Sequence, residues 1–231
     1  RQGAVEFRFN TYAEADEVLA ETPDVVIIAT GGAPDTNALK SGNDVTVTSW
    51  DIISGDVVPQ GDVMLFDDGA DHAGMQAAEV IANSGANLEY VSPERQISPD
   101  IGGINLTPYI HQLLERDVRL SLCRRVLEAA REGDKIRVKL GSDYGDFDLE
   151  RLVDMLVIDH GRIALDDVYY QLKPLSSNHG AVDYNALING TEQELVRNRQ
   201  GSFQLFRIGD AISARNIHAA IYDALRLVKD I

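Results

Sequence analysis

The stretch Val63–Glu94, VMLFDDGADHAGMQAAEVIANSGANLEYVSPE, decides the fold, because it holds a complete strand, turn, helix and strand in succession. Val63 to Phe66 is a short continuous apolar run. Asp67-Asp68-Gly69 breaks it, Gly74 opens a helix with Ala73, Ala77, Ala78 and Ile81 on one face, and Leu88 to Val91 starts a second strand. That is the layout of a dinucleotide-binding βαβ unit, in which three glycines make the tight turn, admit a pyrophosphate and let helix pack on strand. Positions 69, 71 and 74 hold Gly, Asp and Gly. The middle position, where backbone approaches phosphate, is therefore Asp71. A carboxylate about 5 Å from a pyrophosphate charge costs roughly 1 to 3 kcal/mol at an effective dielectric of about 20 to 80. Asp67 and Asp68 add negative charge to the same turn.

Working outward, helical spacing over Ala13 to Ala20 precedes Val25-Val26-Ile27-Ile28, an apolar run of the kind covered on both faces in a parallel sheet. Ala29-Thr30-Gly31-Gly32 ends it. The residues around Ala33 to Gly61 are rich in turn formers, with one short strand candidate at Val45 to Thr48 and a helical turn at Ser49 to Ser54. Beyond the central unit, the pattern predicts a helix over Leu106 to Arg116 and a strand over Val118 to Leu122. Three alternating segments then follow, Val126 to Arg131, Lys135 to Leu140 and Asp146 to Leu152, separated by glycine turns in the manner of a β-meander. Met155 to Ile158 is another apolar strand. Asp166 to Gln171 predicts a short helix with an exposed acidic start, and Lys173 to Gln200 is polar and irregular, with strand-like fragments at most. Phe203 to Ile208 is a last strand, and Ile217 to Lys229 a last helix with Ala219, Ala220, Ala224, Leu225 and Val228 inward. The order predicts an α/β, Rossmann-like three-layer fold with a parallel sheet and an inserted meander.

The totals exclude several roles. Asp and Glu outnumber Lys and Arg 37 to 21 over 231 residues, a formal charge of −16 that opposes nucleic acid and anionic membrane. No run of about 18 apolar residues or secretory leader is visible, so the expectation is a cytoplasmic protein. The opening Arg1 to Asn10, with Val5, Phe7 and Phe9 alternating and no initiator Met, reads as the start of a fragment. The single cysteine, Cys123, lies in a strand-like run and is expected as a buried structural thiol. No His, Cys or carboxylate set has metal-ligand spacing, no nucleophile motif occurs, and no residue is nominated for proton transfer. His72, in the fingerprint turn, reads as a structural or capping residue.

Two further stretches bear on binding. Thr30-Gly31-Gly32 brings backbone to the carboxyl edge of a parallel sheet, where ligands bind, or simply supplies turn dihedrals. Gly209-Asp210 sits at another strand end: the carboxylate suits a sugar-like hydroxyl chain, or caps a helix. Together, DVVIIATGG (Asp24 to Gly32) and IGDAISARNIHAAIYDALR (Ile208 to Arg226) resemble the NADH:flavin oxidoreductases related to old yellow enzyme, a group that includes trimethylamine and dimethylamine dehydrogenases, 2,4-dienoyl-CoA reductase and N-methylproline demethylase-like proteins. The similarity extends over nearly the whole chain.

The resemblance implies a flavin (FAD) or ADP domain in residues 1–40 and 160–231, lacking its first βαβ, and an inserted NAD(P)-binding-like domain in residues 41–159. It places Thr30, Gly31 and Gly32 near adenine-nucleotide phosphates and Gly209 and Asp210 near ribityl or ribose. In the inserted domain it assigns Gly69 and Gly74 to the phosphate turn and Ser92 and Arg95 to the ribose end, where an acidic residue is usual. Arg95 there either meets a 2′-phosphate or is merely solvated. NAD(P)H binding is doubtful because of Asp71. It further implies a parent oxidoreductase with FMN and an iron-sulfur cluster in an N-terminal TIM barrel, an electron-transfer protein as a candidate partner, and a homo-oligomeric parent. The competing expectation is a non-enzymatic interaction domain with degenerate nucleotide sites.

Overall fold

The computed structural model describes residues 5–229. In chain order its elements are α1 (Ala15–Ala20), β1 (Val25–Ile28), β2 (Gly32–Pro34), β3 (Val47–Thr48), α2 (Ser49–Ser54), β4 (Asp62–Asp67), α3 (His72–Ser84), β5 (Asn87–Ser92), α4 (Gly103–Glu115) and β6 (Arg119–Leu122). They continue with β7 (Arg125–Glu132), β8 (Lys135–Gly141), β9 (Leu149–Val153), β10 (Met155–Asp159), β11 (Arg162–Ala164), α5 (Asp167–Leu172), α6 (Tyr184–Asn189), β12 (Gln204–Arg207) and α7 (Ile217–Val228). The chain forms two compact units. One comprises the residues up to Ala33 and those from Arg162 onward, and the other is Pro34–Gly161.

The Pro34–Gly161 unit has a five-stranded parallel sheet in the order β3-β10-β4-β5-β6. Strand β4 is central, with Leu65 in register with Val157 on one side and Tyr90 on the other. Its alternation sends side chains to two different covers. Val63 and Leu65 enter a cluster with Ala77, Ala78 and Ile81 of α3. Met64 and Phe66 enter another with Val126, Val138 and Leu140 of the antiparallel meander β7-β8-β9. This explains why VMLF is apolar without interruption. The layers are helix, sheet and meander. Burying a side chain the size of Leu65 or Phe66 contributes about 1.5 to 3 kcal/mol.

Helix α3 begins at an Asp71 cap and stops at Gly85, whose φ of +87° only glycine adopts freely. Helix α2 starts with a reciprocal cap between Thr48 and Asp51. Helix α4 begins at Gly103, ahead of the predicted Leu106, because backbone bonds from Asn105 and Leu106 to the Gly102 carbonyl close its first turn. Cys123 corrects its expectation: it is half-buried at a left-handed corner (φ +56°) between β6 and β7, not inside a strand.

In the other unit, β1 pairs in parallel with β12, Ile28 opposite Arg207, and β2 pairs with β11. Val26, Ile28, Tyr169, Leu172, Phe203 and Leu205 form its core. The polar stretch after Lys173 holds a 3-10 turn at Lys173–Leu175 and helix α6, which the sequence pattern misses. Asp183 caps α6 through the Asn185 and Ala186 amides, and Gln193 holds the Asp183 amide at 2.8 Å. Val5, Phe7 and Phe9 lie in an unpaired segment and are exposed, and Arg1 to Ala4 lie outside the described residues. The inward face expected of α7 is also corrected: Leu225 and Val228 are exposed, while Leu227 is buried. No helix among the described residues is long and apolar enough to cross a membrane.

Candidate functional site

In the Pro34–Gly161 unit the turn after β4 is tied to the end of β10, since the Asp68 and Gly69 amides both donate to the Asp159 carbonyl at 2.9 and 3.0 Å. The turn's three aspartates have three different destinations. Asp67, the last residue of β4, points inward. It accepts hydrogen bonds from Tyr90 Oη at 2.5 Å, the Ala70 amide at 2.8 Å and Ser98 Oγ at 3.2 Å. Burial pushes its pKa up to about 6; the Tyr90 bond opposes the rise and the charge of Asp159 adds to it. Burial, then the Asp67 charge, raises the Tyr90 phenol as well.

Asp68 instead meets His160 Nδ1 at 2.7 Å and Arg125 Nη1 at 3.2 Å, and Arg125 also reaches Asp143. Asp71 is the N-cap of α3, its Oδ1 accepting from the Ala73 amide at 2.8 Å. A carboxylate of the chain itself thus sits at the helix N-terminus, where an anion is favoured. The two retained glycines also answer to carboxylates. A Cβ on Gly74 would lie 2.4 Å from Asp67 Cγ, and one on Gly69 would lie 2.4 Å from Asp159 Oδ2. Asp159 in turn accepts from Ser49 Oγ at 2.6 Å.

At the end of β5, Ser92 is buried and its Oγ accepts from the Glu94 amide at 3.3 Å, while Arg95 is exposed in the following loop. Gly69 and Asp71 therefore lie in the turn between β4 and α3, and Gly74 in the first turn of α3. Ser92 faces inward and Arg95 outward. His72 is the first residue of α3, edge-on to Tyr109 at 6.3 Å.

In the other unit, the ends of β1 and β12 are adjacent, with the Ile208 amide donating to the Ile28 carbonyl at 3.0 Å. Thr30 Oγ1 donates to the Leu165 carbonyl, and the Leu165 amide to the Gly31 carbonyl at 3.0 Å. Gly31 has φ +77°, and nothing lies within 4 Å of where its Cβ would stand. Gly32 packs on β11, its Cβ position 2.8 Å from the Ile163 carbonyl. Across from them, the Gly209 amide donates to Asp223 Oδ2 at 3.1 Å. Asp210 accepts from Arg162 Nε at 3.0 Å and the Arg215 amide at 3.1 Å. Asp166, expected at an exposed helix start, is half-buried and paired with Arg207. Arg162, Arg207, Arg215 and Asp223 are the polar framework that the sequence pattern does not single out; Arg162 next to Gly161 and Arg207 two residues before Gly209 are its only trace. Among the described residues no group of three or more His, Cys, Asp or Glu could hold a metal ion.

An α/β unit with a βαβ of dinucleotide-binding layout and a meander, inserted into a second α/β unit with glycine-rich strand ends, defines the FAD/NAD(P)-binding, Rossmann-like class of fold. Thioredoxin reductase of T. acidophilum matches it with a TM-score of 0.58 at 16% identity, over 87% of this chain and 62% of that one. Histamine dehydrogenase from Rhizobium sp. 4-9 matches with a TM-score of 0.71 at 19% identity, over 94% of this chain and 32% of that one. No family model matches. In sequence, the chain is 50% identical over 227 residues to a probable N-methylproline demethylase of Rhizobium meliloti, covering 98% of this chain and 34% of that protein. It is 35% identical over 237 residues to an N,N-dimethylglycine/sarcosine dehydrogenase of Chromohalobacter salexigens, again 98% of this chain and 34% of the relative. The chain is thus similar over nearly its whole length to a demethylase and a dehydrogenase, and it spans about one third of the length of the curated relatives it matches.

Proposed function

We propose that the chain is the nucleotide-binding portion of a larger flavin-dependent oxidoreductase, with the redox chemistry carried by cofactors and residues outside it. The parent is an amine dehydrogenase, a demethylase or an enoate reductase, using FMN and an iron-sulfur cluster in an N-terminal TIM barrel. The observation that carries this reading is the meeting of Thr30–Gly32 with Ile208–Asp210 at the carboxyl ends of two parallel strands, with open space beside Gly31. There the unit of β1 and β12 holds the flank of FAD or ADP: Thr30, Gly31 and Gly32 beside the phosphates, Gly209 and Asp210 beside ribityl or ribose. Arg162 and the Arg215 amide keep the Asp210 carboxylate in one orientation.

The inserted unit does not fit NAD(P)H. Asp71 supplies negative charge at the amide end of α3, Ser92 is turned inward, and Gly69 and Gly74 already accommodate carboxylates. Residues Gly69, Gly74, Ser92 and Arg95 accordingly form the outline of a nicotinamide site without its affinity. Electrons then leave the parent to an electron-transfer protein instead of bound NAD(P)H. The parent is homo-oligomeric and works in the cytoplasm.

The test is the nucleotide content of the longer polypeptide from the same gene. Denaturation should release flavin together with an adenine nucleotide, and a folded protein that releases neither refutes the reading. A second reading, a scaffold with no nucleotide at either site, is favoured by the Asp71 cap. It predicts no thermal shift with ADP, FAD, NADH or NADPH, whereas a ligand at 100 times its Kd stabilises by about 2.7 kcal/mol.

A further inference from the structure

Two residues at the carboxyl edge of the five-stranded sheet are left-handed without being glycine. Ala70, in the turn after β4, has φ +56°, and Ser98, in the loop between β5 and α4, has φ +37°. A residue with a Cβ stays in that region only where its surroundings hold it there. One group holds both. The Asp67 carboxyl accepts from the Ala70 amide at 2.8 Å through Oδ1 and from Ser98 Oγ at 3.2 Å through Oδ2, and Tyr90 Oη adds a bond to Oδ2 at 2.5 Å. Asp67 thus joins the turn to the loop from beneath, and both Asp67 and Ser98 are fully buried.

The loop itself, residues 93–102, is fastened at its ends and lightly held between them. The Cys123 amide donates to the Glu94 carbonyl at 2.9 Å at one end, and the Ile101 side chain is buried at the other. Between these points Ile97 is half-buried, Ser98 bonds Asp67, and the Asp100 amide reaches the Ala70 carbonyl at 3.4 Å. Arg95, Gln96, Pro99 and Asp100 are exposed. A segment with so few buried contacts opens more readily than the strands beneath it.

The place under the loop suits a neutral carboxyl better than a charged one. Tyr90 of β5 and Asp159 of β10 are the titratable groups that act on it; Tyr90 donates and Asp159 repels. Asp68 is turned to His160 and Arg125, Asp71 caps α3, His72 lies edge-on to Tyr109, and Glu94, Arg95 and Asp100 of the loop are exposed, so none of them supplies Asp67 with a counter-charge. A proton on Oδ2 can be donated to Tyr90 Oη, which in turn lies 3.3 Å from Ser98 Oγ, while the Ala70 amide keeps Oδ1. The protonated network therefore stays bonded with no charge buried.

We propose that Asp67 is a proton-controlled latch on the β5–α4 loop: with the carboxyl protonated the loop stays shut on it through Ser98, and ionisation favours an opened loop in which water reaches the carboxylate. The sign follows from linkage. In the shut state the carboxyl titrates at about 6, and once the loop admits water it returns towards the ordinary 3.8. The shut state is therefore favoured most below pH 3.8 and loses that advantage as pH rises through about 6. The loop carries Arg95, so opening displaces the cation that follows β5. The inference concerns this unit alone and does not rest on whether a nucleotide binds it.

The experiment is amide exchange of this chain from pH 5 to pH 7.5, corrected for the intrinsic pH dependence of exchange and read at Asp100 and Ile101, whose amides bond the Ala70 and Ser98 carbonyls. Their protection should fall about tenfold over that range in the wild type, as the two pKa values require, and should stay flat in Asp67→Asn. Tyr90→Phe deletes the shortest bond to the carboxylate and should move the midpoint of the fall to higher pH, which tests the latch even if Asp67→Asn does not fold. Ser98→Ala should speed exchange of both amides severalfold at pH 5. Protection that is independent of pH in the wild type, or that falls equally in Asp67→Asn, overturns the inference. So does loop protection equal to that of α3 and changing in step with it, since that assigns the effect to unfolding of the whole unit.

Discussion

Replacing Asp67 by asparagine gives the most quantitative test of the acidic turn. Asp67 is fully buried, and its pKa stands at about 6 against 3.8 for an exposed aspartate. A carboxyl whose folded pKa is raised favours the folded state while protonated. That contribution is complete below the unfolded pKa of 3.8 and is lost as pH rises through about 6. A shift of roughly two units at 1.36 kcal/mol each amounts to about 3 kcal/mol in all, of which about 2 to 3 kcal/mol falls between pH 4 and pH 7.5. The asparagine side chain would stay neutral throughout. Whatever the amide costs against the Tyr90, Ser98 and Ala70 donors is independent of pH, so it cancels when the pH dependences of the two proteins are compared. Urea unfolding of Asp67→Asn and wild type should therefore show the variant gaining about 2 to 3 kcal/mol on wild type from pH 4 to pH 7.5. A difference that stays flat, or moves the other way, refutes the assignment of Asp67 as a buried, partly protonated carboxyl.

Other substitutions address the same turn. Asp71→Ala removes the acceptor for the Ala73 amide and should cost about 1 kcal/mol of stability in thermal or urea unfolding. Asp71→Gly, which leaves the cap position to a residue that tolerates it, should raise NAD(P)H or ADP affinity about tenfold or more in calorimetry, and no gain counts against the charge argument. Gly74→Ala forces a methyl group to within 2.4 Å of the Asp67 carboxyl and should destabilise by about 1 to 3 kcal/mol, whether or not any nucleotide is present.

The central unit was legible because buried strands, glycine stops and helical spacing all agree there. VMLF is a strand wedged between two covers, and Gly85 is a left-handed stop. The meander was legible from alternation and its glycine turns, although Asp146 to Asp148 stay out of β9. Helix α6 was not, since six residues in a polar stretch carry no periodicity, and their start depends on Asp183 and on Gln193 ten residues later. Cys123 was misplaced because a left-handed corner without glycine leaves no compositional mark.

In the site, the glycine positions were visible and the directions of the carboxylates were not. Asp67, Asp68 and Asp71 look alike in sequence. One enters the core, one pairs with His160 and Arg125, and one caps α3, because strand end, turn and helix start point their side chains differently. The apolar face of α7 was visible as periodicity. How much of it its unit covers depends on neighbours that periodicity does not name.

The central claim is that the inserted unit keeps the architecture of a nicotinamide-binding domain while Asp71 takes the anion's place. Calorimetric titration of NADH and NADPH into the protein tests it most directly. The account predicts no saturable heat at ligand concentrations up to about a millimolar, equivalent to a binding free energy weaker than about −4 kcal/mol. Micromolar binding of either nucleotide would contradict it.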